Sequence, residues 1–114
     1  MIRLTTSVFV AALLRRAQIG GAQALVARHG AEEAGAILIS VDRLDGTADL
    51  YSPAPQSAFA DADDTDRLFM RVRERAAEAE VGPWLAREVD FDPDVWLVVI
   101  EDRQGRPFVD LARD

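Results

Sequence analysis

The chain has 114 residues, 49% hydrophobic and 29% charged, and 13 basic against 20 acidic residues give a formal net charge of −7. That length suits a single domain over residues 1–114, the apolar content excludes wholesale disorder, and the absence of cysteine excludes disulfides, a thiolate nucleophile and cysteine-bound zinc. The acid excess argues against phosphate neutralisation, so nucleic acid is not an expected partner; no apolar run approaches the roughly 18–20 residues that span a bilayer, so no membrane association is expected.

Every basic residue apart from His29 is arginine, and lysine and asparagine are both absent. A GC-rich coding bias accounts for both absences, whereas bidentate anion recognition would account for that of lysine alone.

The apolar stretch Val8–Leu14 is short for a secretion signal and runs directly into Arg15 and Arg16 without a small-x-small cleavage site. It reads as an N-terminal helix of a cytoplasmic protein, capped by Thr6 or Ser7, ended by Gly20-Gly21 and buried on more than one side. Ala22–Arg28 fits a strand or a helix, with strand preferred. Ile37, Ile39 and Val41 mark one face of a strand. Asp45-Gly46 then suggests a two-residue hairpin turn with positive φ at both positions, leading into Thr47–Tyr51. The proline-rich and acidic stretch from Pro53 to Asp66 is long for a loop in a compact domain, as expected of a mobile or binding segment. Arg67–Arg73 alternates Leu68, Met70 and Val72 against Arg67, Phe69, Arg71 and Arg73, a strand with an arginine-rich face, although a helix also fits.

Val81, Trp84, Leu85 and Val89 form one helical stripe, with Pro83 in the first turn and Asp92-Pro93 as the stop. Val95–Ile100 is apolar at every position and reads as a strand covered on both faces. Asp102–Gly105 would turn the chain into a short edge strand at Pro107–Val109. The expected fold is α+β: an N-terminal helix, an antiparallel β-meander, one packing helix and a C-terminal β-hairpin.

Three stretches, Val10–Arg16, Ala34–Leu38 and the Phe-Asp-Pro-Asp-x-Trp motif that opens Phe91–Asp102, resemble the domain of unknown function 1491 family, short single-domain proteins of alphaproteobacteria. The resemblance implies a fold unit and a lineage, and no reaction.

Asp90, Asp92, Asp94 and Glu101 fall at carboxylate positions of an EF-hand loop, but Val95 stands where that loop needs glycine and the following residues are apolar. No metal or other cofactor is therefore expected. His29, the single histidine, lies in an expected turn and reads as solvated rather than as a general base; no catalytic residue is singled out. Arg15 and Arg16 suit the negative end of the first helix, and the later arginines could pair with Asp61, Asp63, Asp64 and Asp66. Trp84 and Trp96 read first as core, but Trp96 on an outer face beside Phe108 would anchor a partner.

The expected function is a non-catalytic protein-interaction module, a homodimer or one arm of a protein complex, with Arg15, Arg16, Asp92, Asp94 and Trp96 as interaction candidates. The alternative is a small-molecule-binding or hydrolytic enzyme using the acidic residues around Phe91–Asp94.

Overall fold

A computed structural model describes residues 5–55 and 67–112. The acidic stretch 56–66, and with it the expected arginine pairing, lies outside them. The first helix, α1 (Thr6–Ile19), is capped by Thr5, one residue before the expected position, whose hydroxyl accepts from Val8 N. Thr6 is free to do something else: it is buried, and its hydroxyl donates to Gly35 O at 2.9 Å. Only the stripe Thr6, Val10, Leu13 and Ala17 is buried. The expectation of burial on several sides is corrected, because α1 rides on one sheet face and leaves Val8 half exposed.

Six strands follow: β1 (Gln23–Arg28), β2 (Ile37–Asp42), β3 (Thr47–Pro53), β4 (Leu68–Ala77), β5 (Trp96–Glu101) and β6 (Asp110–Leu111). Helix α2 (Val81–Phe91), introduced by a 3-10 turn at Glu78–Glu80, joins β4 to β5. They form one mixed sheet in the order β1-β5-β2-β3-β4-β6. β2, β3 and β4 run antiparallel in chain order, which matches the expected meander in part. The rest departs from it, since β5 inserts between β1 and β2 and runs parallel to β2. The reason is the 11-residue α2: at about 1.5 Å per residue it is roughly as long as a strand. It carries the chain back across the sheet, so the next strand must run the same way as β2 and β4.

With both neighbours of β5 occupied, no edge remains beside it for a C-terminal hairpin. The chain turns at Asp102–Gly105, lays Phe108 and Val109 on the α1 face, and pairs β6 in parallel with the start of β4. The β2–β3 connection also differs from expectation. Arg43 N donates to Thr47 O at 3.0 Å, and positive φ falls on Leu44 and Gly46 rather than on the Asp45-Gly46 pair.

The sheet separates two apolar layers. Under α1 lie Ile37, Ile39, Val41, Tyr51, Phe69, Trp96, Val98 and Ile100. Under α2 lie Leu38, Leu50, Trp84 and Leu97, flanked by Val81, Leu85 and Val89, the stripe read from sequence. β5 is covered on both faces, as its unbroken apolar run requires. In β4 the expected division of faces does not hold throughout: Phe69 is buried under α1, which brings Phe9 over it at 6.0 Å between ring centroids, while a register shift opposite Leu50–Tyr51 sets Arg73 beside Leu50 on the α2 side. No helix among the described residues is long and apolar enough to cross a membrane.

Candidate functional site

The parallel strands give the sheet two unlike rims. At the carboxyl rim, where β2, β4 and β5 end, polar side chains close on one another. Asp49 is fully buried and accepts from Arg43 Nη2 at 2.6 Å, from Arg43 Nε at 3.2 Å and from Arg75 N at 2.8 Å. Burial pushes its carboxyl up, but the Arg43 and Arg75 hydrogen bonds outweigh this and hold it below the usual carboxylate range. Burial also raises the Tyr51 phenol on the same face. Gly105, at φ +73°, lies against the Arg43 guanidinium, and a Cβ there would stand 2.5 Å from its Cζ.

Beside this pair, Asp102 is nearly buried and accepts from Arg106 N, Nε and Nη2 at 2.8–2.9 Å, chiefly the side-chain bonds lowering its pKa. Arg106 also donates to Gly20 O at 3.1 Å, tying the end of α1 to the last turn. Both carboxylates have their lone pairs engaged by arginine. Neither is a free general base, and the rim acts as a clasp. The sequence reading missed this network. The one signal was Asp49 itself, an acid sharing a strand face with Tyr51 in an otherwise apolar register.

The amino rim is where β1 ends and β2 and β5 begin. Trp96 is 2% exposed and donates its indole N–H to Ala31 O at 2.7 Å. His29 covers its ring at 4.1 Å and lies 3.7 Å from Glu32. Gly30 permits this closure, because a Cβ there would lie 2.3 Å from Asp94 O. Ala31 N donates to Asp94 O, and Arg28 Nη2 donates to Pro93 O at 2.8 Å, so the end of β1 is fastened to the α2–β5 connection. Asp92 accepts from Asp94 N at 3.0 Å, making the turn that ends α2.

Two large apolar residues stand out along this side. β1 is an edge strand paired only with β5, its side chains alternate in burial, and Leu25 is 56% exposed. Phe91, the last residue of α2, is 91% exposed.

The interaction candidates read from sequence divide between the rims. Asp92, Asp94 and Trp96 come together at the amino rim. Trp96 sits in the core rather than on an outer face beside Phe108, so it supports the rim from beneath. Arg15 and Arg16 lie near the other end of β1, on the last turns of α1, both exposed. Arg16 donates through Nε and Nη2 to Phe108 O at 3.1 Å. Asp94 and Glu101 flank opposite ends of β5, and among the described residues no three metal-ligating side chains converge. A groove at the start of α2 contains neither Asp92 nor Asp94. Sequence reasoning missed Leu25 and Phe91: apolar residues in ordinary strand and helix positions look like core until the helix end and sheet edge are placed.

The family model for "Protein of unknown function (DUF1491)" matches residues 4–110. A crystal structure of a DUF1491 family protein from Caulobacter crescentus CB15 is similar at 42% identity with a TM-score of 0.76, over 95% of this chain and 94% of that one. The solution structure of protein Atu0922 from A. tumefaciens is similar at 37% identity with a TM-score of 0.84, over 99% and 98% of the two chains. An NMR structure of a DUF1491 family protein from Caulobacter crescentus CB15 is similar at 40% identity with a TM-score of 0.78, over the full length of both. No curated protein matches the chain.

Proposed function

Since this chain belongs to the DUF1491 family, whose description carries no activity, we propose from its own geometry that it is a non-catalytic protein-interaction module whose first partner is a second copy of itself, joined along β1. The single observation behind this is the uncovered β1 edge with the exposed Leu25 on it; Phe91, also exposed, ends α2 two residues before the Pro93 that Arg28 of β1 holds.

An isologous contact through an edge strand is antiparallel, so the start of one β1 lies beside the end of the other. In that arrangement Arg15 and Arg16 of one copy, just before its β1, approach Asp92 and Asp94 of the partner, fastened beside the end of β1 by the Arg28–Pro93 bond. Apolar residues fill the middle and opposite charges meet at the ends, which sets the register and disfavours other pairings. The carboxylates of the Phe91–Asp94 motif thus serve as turn-formers and outer contacts rather than as acid and base.

Sedimentation equilibrium at about 100 µM chain tests the reading. A dimer is expected, and Leu25→Arg should convert it to monomer while matching the wild-type unfolding midpoint at chain concentrations dilute enough to dissociate the dimer, since that residue is exposed. Arg15→Glu with Arg16→Glu should weaken it, and adding Asp92→Arg with Asp94→Arg should restore it. A wild-type chain that stays monomeric, or a dimer indifferent to Leu25→Arg, refutes the β1 interface.

A further inference from the structure

We propose that the groove between the start of α2 and the outer half of β4 is a binding site for a small organic oxyanion carrying a flat apolar ring. It encloses about 330 Å³, at the lower end of the range for small-molecule sites. Leu50 and Trp84, both buried, form its floor, Pro83 adds an apolar wall, and Arg73 and Arg87 stand exposed at its sides. Glu80 shares the lining.

Arg73 and Arg87 carry the assignment. Arg43, Arg71, Arg75 and Arg106 each hold a carboxylate. Arg73 and Arg87 hold none among the described residues; Arg73 donates only to Val72 O, at 2.8 Å. In a chain with 20 acids to 13 basic residues, two guanidinium groups that hold no carboxylate line one groove with a single acid, Glu80, an excess of positive charge that a bound anion would relieve. Guanidinium forks match the planar geometry of carboxylate and phosphate oxygens.

A second, independent feature is Trp84. Its ring is buried in the floor, and its indole N–H, unlike that of Trp96, which donates to Ala31 O, makes no hydrogen bond to a described residue. An aromatic floor suits a flat apolar ring, and its N–H is a donor for the oxyanion. Glu80 opposes a second negative group, so the ligand carries its charge at one end.

The two indole N–H resonances make a direct test by proton–nitrogen correlation NMR on the full chain, with phenyl phosphate, benzoate and inorganic phosphate as probes. Phenyl phosphate or benzoate should shift the Trp84 resonance saturably and leave that of Trp96 in place, and which binds more tightly identifies the oxyanion. Inorganic phosphate alone should bind at least about tenfold more weakly than phenyl phosphate, because it lacks the ring. Arg73→Gln with Arg87→Gln should weaken binding by about tenfold or more at an unchanged melting temperature, whereas Arg15→Gln should not alter it. No saturable shift at about 10 mM of either aromatic probe, or equal binding by the double variant, overturns the site. Because the groove is remote from the β1 edge, Leu25→Arg should leave the titration unchanged, so this test and that of the dimer succeed or fail separately.

Discussion

Asp49 and Arg43 show how one buried ion pair makes a clasp out of a loop. The carboxylate is fully buried, so it has no solvent as an alternative partner, while the guanidinium is 11% exposed. The arginine crosses from β2 to β3 while Arg75 N approaches from β4, so one side chain holds three strands in register. Asp49→Asn keeps the shape but removes the charge and leaves the partly buried Arg43 uncompensated. The expected loss is about 1–3 kcal/mol, the cost of unpairing a charged hydrogen-bonding group that keeps some access to solvent, read as a lowered urea midpoint at an unchanged slope. This pair was not legible in the sequence, because six residues separate its members along the chain and nothing in that spacing distinguishes a contact from two solvated charges.

Among the elements, α2 and β5 have the most direct relation between residue pattern and structure. Their patterns, a helical stripe and an unbroken apolar run, depend only on local periodicity, and burial on one or both sides followed. Trp84 is the one buried residue of α2, and it joins the helix to the sheet through Leu38, Leu50 and Leu97. Trp84→Ala should therefore cost about 3–5 kcal/mol and lower the thermal midpoint, whereas Phe91→Ala on the same helix should change stability by less than about 0.5 kcal/mol. β6 shows where such reasoning fails. Pro107–Val109 carries an edge-strand composition, but the strand forms two residues later, at Asp110–Leu111, on the edge of β4.

For the molecule as a whole, the carboxyl rim couples stability to acid. Asp49 and Asp102 both have folded-state pKa values lowered by arginine, against an unfolded value of about 3.9. Groups shifted in this direction stabilise the fold above the unfolded value and lose that contribution as pH falls through the lower folded one. Stability should be level from neutrality to about pH 5 and fall steeply below about pH 4. The Asp49→Asn variant, less stable throughout, should show a shallower fall, and denaturant midpoints across that range measure both. An identical slope in the variant would mean that other carboxylates dominate.

The sequence alone determined what nearest neighbours along the chain can decide: that α1 and α2 are helices, that 37–42 and 96–101 are strands, that glycines and Asp92-Pro93 end elements, and that no cysteine chemistry is present. These follow from steric limits and hydrophobic period, which act over a few residues. Only the tertiary structure decided that β5 lies between β1 and β2, that Asp49 meets Arg43, that Trp96 is core while Leu25 and Phe91 are surface, and that Arg73 and Arg87 share one groove. Each of those depends on which strand edges remain open once the others have paired, a competition among distant segments that no local pattern records.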